Sequence, residues 1–300
     1  MLWPPHILKA TQPEVFSMSQ PPRLTFKTLP SGAEWSTLLD WWLEAEQIPE
    51  LDGGWLFDHF YPIYGEPTGP CFEGWTALSY LAGRTERLRL GLMVTGNPYR
   101  HPAVLANMAA TYDVFSQGRL DLGLGAGWNE LEAGAYGIPF GTMGERLNQL
   151  EEAVQVIQSL FREPVSNFKG EHYQLTDAYC EPKPVQLGGP PLTIGGAGEK
   201  RTLNIAARFA DDWNFPGGSA EDFAHKVGVL RGHCDRIERD ISEITLSTHL
   251  IASGTPAEIA ANAKAFVEAG AQHLVLYFFD LSDRGQLSAT TAAVAGAVGR

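Results

Sequence analysis

Residues 88–128 read LRLGLMVTGNPYRHPAVLANMAATYDVFSQGRLDLGLGAGW, and their reading decides the fold. Leu88, Leu90, Leu92 and Val94 make an apolar run closed by Thr95, Gly96, Asn97 and Pro98, as expected of a parallel strand buried on both faces. Pro102 suits a first helical position, where the N–H it lacks is not needed. Val104, Leu105, Met108, Ala109, Tyr112 and Phe115 follow at helical spacing. Gly118 stops that helix, and Arg119 opens a second apolar strand that runs into Gly123-Leu124-Gly125-Ala126-Gly127. Strand, helix and strand form a βαβ unit, and both strands end in small, flexible residues. In an α/β barrel those C-terminal strand ends are where ligands bind.

The rest of the chain supplies the other strands. To the N-terminal side, Arg23 to Leu29 reads as a first strand and Trp35 to Glu46 as a helix with Leu38, Leu39, Trp42 and Leu43 inward. Gly54 to Phe57 is a second strand, ending in Asp58-His59-Phe60, and Phe72 to Gly83 is the next helix. To the C-terminal side, Trp128 to Phe140 is irregular with a short helical piece, and Gly144 opens a long amphipathic helix through Leu147, Leu150, Val154, Ile157 and Leu160. The pattern breaks between residues 164 and 190, where Phe168 to Tyr173 reads as a hairpin inserted on the rim. Strands then fall at Leu192–Ile194, Asp211–Phe215, Ile244–Leu250 and His273–Phe279, each followed by a helix. Eight strands alternating with helices predict a TIM (β/α)8 barrel over residues 23–300. An open doubly wound sheet would need a G-x-G-x-x-G turn after strand one, and Pro30-Ser31-Gly32 is not one.

Residues 1–22 are proline-rich and aperiodic, without a basic region ahead of an apolar core, and read as a flexible N-terminal extension. Met18, just ahead of the first strand, is a candidate natural start. The 300 residues carry a net charge of −13, which argues against a nucleic-acid partner. No apolar run nears the roughly 20 residues that span a bilayer. Cys71, Cys180 and Cys234 are far apart and odd in number, and the histidines lack ligand spacing, so neither disulfides nor a metal site is expected. The expectation is a reduced, cytoplasmic protein that meets a small molecule rather than a membrane.

Several short motifs, taken together and in order, resemble the bacterial luciferase-like family. They are Asp58-His59-Phe60, Val94-Thr95-Gly96, Tyr99-Arg100-His101-Pro102-Ala103, Gly118-Arg119-Leu120 and Gly123 to Asn129. Gly144-Glu145-Arg146, Pro182 to Gln186 and Ile194 to Gly198 extend the match, which runs from about Arg23 to Phe279. No single motif is specific; their register is. The resemblance implies the same barrel and a cofactor that is either FMN or the deazaflavin coenzyme F420. Trp55 to His59, Gly69 to Trp75 and Trp213 to Gly218 are more similar to the F420 branch. Dimers through barrel helices are common in the family, so a homodimer is expected.

The resemblance also sharpens the candidate residues. An acid beside an imidazole at a strand end is a plausible acid/base or electrostatic site, although Asp58 could equally cap a loop while His59 packs. In the F420 branch the matching histidine lies near the reactive ring edge, which implies His59 as the catalytic residue, with Asp58 at the ring's polar edge. Imidazoles titrate near neutrality, which suits taking a hydroxyl proton or stabilising charge during hydride movement. Residues alone favour an ordinary strand end at Met93, Val94 and Thr95. The resemblance implies a bulge with a cis peptide between Met93 and Val94, pressed against the ring. Gly125 and Gly127 could be corner packing or could clear space for the cofactor. Gly195, Gly196, Ala197 and Gly198 enter a helix and are the phosphate candidate, through backbone N–H groups; alone, they are also an ordinary strand-to-helix turn.

Tyr64, Tyr99, Trp128, Trp213 and Phe215, with Asn129, are candidates to wall a substrate pocket, against the common alternative that aromatics pack a core. His249 is a second candidate histidine. Sugar-phosphate dehydrogenases of the family carry a glutamate shortly after the glycines. Trp128-Asn129 stand there instead, with Glu130 and Glu132 beyond, which leaves the proton donor unassigned. Three readings follow. The first is an F420-dependent oxidoreductase acting on a small organic substrate, and the second an FMN-dependent monooxygenase. The third is a barrel that keeps the cofactor site without chemistry.

Overall fold

The computed structural model describes residues 21–300. Most of the expected N-terminal extension, with Met18, lies outside the described residues. The strands are β1 (Arg23–Thr28), β2 (Gly53–Leu56), β3 (Arg89–Leu92), β4 (Thr95–Gly96), β5 (Leu120–Gly125), β6 (Ser166–Lys169), β7 (Gln174–Ala178), β8 (Leu192–Gly195), β9 (Asp212–Phe215), β10 (Thr245–Ile251) and β11 (His273–Phe278). The helices are α1 (Trp35–Glu46), α2 (Gly74–Ala82), α3 (Pro102–Phe115), α4 (Glu130–Ala135), α5 (Met143–Arg162), α6 (Thr202–Phe209), α7 (Ala220–Asp235), α8 (Pro256–Glu268) and α9 (Gly285–Ala297).

All pairings in the main sheet are parallel, and the ring closes because β3 pairs with both β2 and β5. β3 and β4 are halves of one interrupted strand, both paired to β5. Counted so, eight strands close a barrel in the order β1, β2, β3/β4, β5, β8, β9, β10, β11. The expected strand through Leu88–Val94 is therefore broken. The Met93–Val94 peptide is cis and the chain re-enters the sheet at Thr95. The expected rim hairpin is the antiparallel pair β6–β7, anchored where Glu152 of α5 accepts the N–H groups of Glu171, His172 and Tyr173.

Side-chain alternation explains the layering. Leu24 and Phe26 of β1, and Leu274, Leu276 and Phe278 of β11, point outward into the apolar layer under the helices. On α1 the buried face is Leu38, Trp41, Trp42 and Ala45, so Trp41 and Ala45 take the places expected for Leu39 and Leu43. The inward positions are largely polar. Asp121, on β5, is buried between Arg23 and Arg89, and Arg89 Nη2 lies 2.6 Å from its carboxylate. His273 bridges Asp212 and Thr25, each at 2.8 Å. These residues open their strands and fill the N-terminal end of the barrel. The C-terminal end is left for a cavity.

Candidate active site

The cavity, about 460 Å³, opens at the C-terminal strand ends. His59 follows β2 and lines it. Its partner is not Asp58 but Glu132, from the first turn of α4. Nδ1 of His59 lies 2.6 Å from Glu132 Oε2, which also accepts from the Tyr99 hydroxyl at 2.5 Å. Glu132 Oε1 accepts the Phe60 N–H at 2.6 Å, and Asn129 Oδ1 accepts the Glu132 N–H at 3.2 Å. Glu132 is fully buried. Burial pushes its carboxyl up, but the bonds from His59, Tyr99 and Phe60 outweigh that and hold it below the usual carboxylate range. An ionised Glu132 puts the proton of His59 on Nδ1 and leaves Nε2, which has no partner among the described residues, for the cavity. The rings of Phe57 and Trp128 hold the imidazole by edge contacts at 5.1 and 5.5 Å.

Asp58 also lines the cavity, but its oxygens are engaged. Arg100 donates to both, at 2.6 and 3.0 Å, and the Gly96 N–H donates to Oδ2 at 2.9 Å. Asp58 therefore ties the chain beyond the cis peptide to the end of β2. Val94 projects from that bulge into the wall, between two glycines. A Cβ on Gly125 would sit 2.7 Å from Val94 Cγ2, and one on Gly195 would sit 2.9 Å from Val94 Cγ1. Those glycines clear room for Val94, the packing reason rather than direct clearance for a ligand. Gly127 is glycine for a different reason, its positive φ of 76°.

Met93, Gly96 and Gly196 complete this largely backbone wall. Thr202, the first residue of α6, lines the cavity too, and no side chain caps the start of that helix. Ala197 and Gly198 lie in the turn between Gly196 and α6 and are not among the cavity-lining residues. Thr95 is buried behind the wall, and its hydroxyl has no partner among the described residues.

Among the aromatic candidates, Tyr64 and Trp128 stand exposed at the mouth, and Tyr99 lines the interior. Trp213 does not wall the pocket. In β9, Asp212 and Asn214 face inward, so Trp213 and Phe215 face outward. The Trp213 ring stacks on Phe223 at 5.8 Å, and its indole N–H donates to Gly196 O at 2.8 Å. Asn129 likewise caps α4 instead of facing the cavity.

His249 does line it. Nε2 is 3.1 Å from Met93 Sδ, and burial, then the nearby Lys27, push its pKa well down, so the ring is neutral. The sequence reading missed two residues here, Glu132 as the partner of His59 and Lys27 in the wall. Among the described residues no helix is long and apolar enough to cross a membrane.

A family model described as luciferase-like monooxygenase matches residues 15–296. The F420-dependent glucose-6-phosphate dehydrogenase of Kineococcus radiotolerans is 28% identical over 314 residues, covering 86% of this chain and 91% of that protein. The FMNH2-dependent dimethylsulfone monooxygenase of Pseudomonas putida is 28% identical over 197 residues, covering 64% of this chain and 54% of that protein. Several other curated relatives are matched over only about half their length. A solved F420-dependent secondary alcohol dehydrogenase, in complex with an F420-acetone adduct, superposes with a TM-score of 0.82 at 18% identity. That alignment covers 92% of this chain and 99% of that one, and it shows the shared barrel. With 15–296 matched by the family model, and with the closed barrel in place, this chain belongs to the luciferase-like monooxygenase family.

Proposed function

We propose that this protein is a coenzyme F420-dependent oxidoreductase of the cytoplasm that passes a hydride between the deazaflavin and a small organic substrate. The observation that carries the reading is the His59–Glu132 couple, set at the cavity wall close to the backbone bulge at Met93–Val94. A flat ring fits the wall that Val94, Gly96 and Gly196 line, and a phosphate fits the glycine-rich turn Gly195–Gly198 that leads into the uncapped start of α6 at Thr202. Met93, Val94, Thr95, Gly125 and Gly127 shape the ring site. Asp58 fixes it through Arg100 and Gly96 and offers its remaining lone pairs to the ring's polar edge. The bound deazaflavin supplies two-electron hydride chemistry without activating oxygen.

His59 holds or takes a proton at Nε2, opposite the atom fixed by Glu132. The buried carboxylate orients the ring and steadies the imidazolium, without itself taking the proton. Tyr64 and Trp128 enclose the substrate at the mouth. Titration of the full chain by deazaflavin fluorescence tests the cofactor. F420 should bind at least about tenfold more tightly than FMN, a gap of about 1.4 kcal/mol. The reverse preference replaces this reading with an FMN-dependent monooxygenase, the chemistry carried by the name of the Pseudomonas relative.

The chain pairs with a second copy through the groove between α2 and α3. Val104 and Phe115 are 54% and 47% exposed there, and Trp75 lines the groove with a buried indole N–H that has no acceptor among the described residues. Light scattering should report a dimer, and Val104→Asp with Phe115→Asp should yield a monomer. A monomeric wild-type protein sinks the pairing.

A further inference from the structure

Buried charge in this barrel is paired almost everywhere. Asp121 has Arg23 and Arg89, Asp58 has Arg100, Asp212 has His273, and Glu132 has His59 and Tyr99. Lys27, on the inner face of β1, has no partner of opposite charge among the described residues. It is 5% exposed, stands near the end of β1 in register with Tyr277 of β11, and lines the cavity. Among the described residues nothing accepts a hydrogen bond from its ammonium. Its Nζ lies over the Tyr277 ring, 4.3 Å from the centroid.

The titratable groups around it are Tyr277 from β11, His249 from β10 and Tyr64 from the loop after β2, and none is a carboxylate. Burial alone brings the ammonium down to about 7. A lysine that merely packed its stem would carry its head to water. This one keeps its head in the cavity wall, where a methionine of similar length would avoid the desolvation cost. A buried charge without a partner, facing an open cavity, is a group waiting for a ligand of opposite sign.

Topology indicates which ligand. In the ring of eight strands, β1 stands across from β8, which carries Gly195 and leads into the phosphate candidate, and it is the immediate neighbour of β2, which leads into His59. The ring-binding wall is built from the bulge, β5 and β8. Lys27, His249, Tyr277 and Tyr64 make the other side. A molecule between that side and the backbone wall would meet His59 and Lys27 together.

We propose that Lys27 is the anion-recognising residue of the substrate site, so that the substrate is a small alcohol or carbonyl compound that also bears a carboxylate or an equivalent oxyanion. The proposal rests on the cavity being the active site described under Proposed function. Tyr277 holds Nζ in place by a cation–π contact, which costs the arriving anion nothing. The carboxylate then makes a charge-assisted hydrogen bond out of water.

The test uses benzoate and its neutral isostere benzamide as probes, titrated calorimetrically into the full-length protein at pH 6 without cofactor. Benzoate should bind at least about tenfold more tightly, the scale of one hydrogen bond to a charged group. Lys27→Met should abolish the difference. Equal binding of the two probes to the wild-type protein overturns the proposal, whatever the variant does. The other source of an oxygen anion at Lys27 is the cofactor ring. A deazaflavin titration of wild type and Lys27→Met separates the two. Unchanged cofactor affinity with lost benzoate preference supports the substrate site. Cofactor binding weakened tenfold, with no benzoate preference in the wild type, assigns Lys27 to the ring and overturns it. If neither protein binds deazaflavin, the cofactor reading fails, while the benzoate–benzamide comparison still decides Lys27 by itself.

Discussion

At the N-terminal end of the barrel, Asp121 on β5 is gripped by Arg23 from β1 and Arg89 from β3; further along the same β1, Lys27 lies over a tyrosine ring and has no ion-pair partner among the described residues. Both are buried charges on the inner face of one ring of strands. Burial pushes the Asp121 carboxyl up, but the two guanidiniums outweigh that and hold it below the usual range. Nothing offsets burial at Lys27. The difference separates two uses of a barrel interior. At one end polar side chains satisfy each other and plug the ring; at the other, beside the paired Asp58 and Glu132, Lys27 is left incomplete, and the missing partner is a ligand.

The largest test of that contrast is Asp121→Ala. It takes the carboxylate from two guanidiniums, of which Arg89 keeps Gly118 O, Leu120 O and Gln186 Oε1, and removing one partner of a buried pair costs roughly 3–5 kcal/mol. Arg23 and Arg89 keep 28% and 30% of their side-chain surface exposed, so the lower end, about 3 kcal/mol, is expected in chemical denaturation. Deazaflavin affinity of the folded protein should hold within about twofold, a difference below 0.5 kcal/mol. A variant as stable as wild type, or one that folds but loses the cofactor, would break the division between the ends.

Next in size is His59→Ala at the open end. Turnover should fall about 10²-fold or more, the scale of a lost acid/base group, with cofactor affinity nearly unchanged. Unaltered turnover removes His59 from the chemistry.

The strands were legible because their hydrophobic runs and turn residues are local signals; the place of His59 in the cavity lining follows from its position just after β2, while its proposed role came from the resemblance. The bulge at Met93–Val94 came from resemblance, since MVTG reads alone as an ordinary strand end. Trp213 was misjudged through parity: nearness to a strand end does not say which face a side chain takes, and D-W-N-F alternates polar and apolar with the polar residues inward. The same alternation in R-L-T-F-K-T, with Leu24 and Phe26 under the helices, already points Lys27 into the barrel. Glu132 had no such signal. It reaches His59 through the rotation of a helix of six residues, too short to show a periodic face, and the expected position for an acid lay nearer Gly127.

The smallest expected effect is the most direct measure of the contrast, the pH dependence of Lys27→Met. In the folded protein Lys27 loses its proton near 7; in the unfolded chain it does so near 10.5. Below 7 the ammonium is charged in both states, and the native state bears the full cost of burying it. Between 7 and 10.5 the unfolded chain holds the proton and the native state does not, so wild-type stability gains with rising pH across that window. Methionine removes the cost at every pH. The variant should therefore be more stable than wild type at pH 6.5, by about 1–2 kcal/mol once water in the cavity is allowed for. The advantage should shrink towards pH 9.5. His249 and Tyr277 face position 27 in both proteins, the first held neutral chiefly by burial, the second pushed up by burial, so neither reverses the sign. Denaturant titrations of both proteins at the two pH values measure it. An advantage that is flat or grows with pH would mean that Lys27 carries a partner of its own, and that the upper end of the barrel is as complete as the lower.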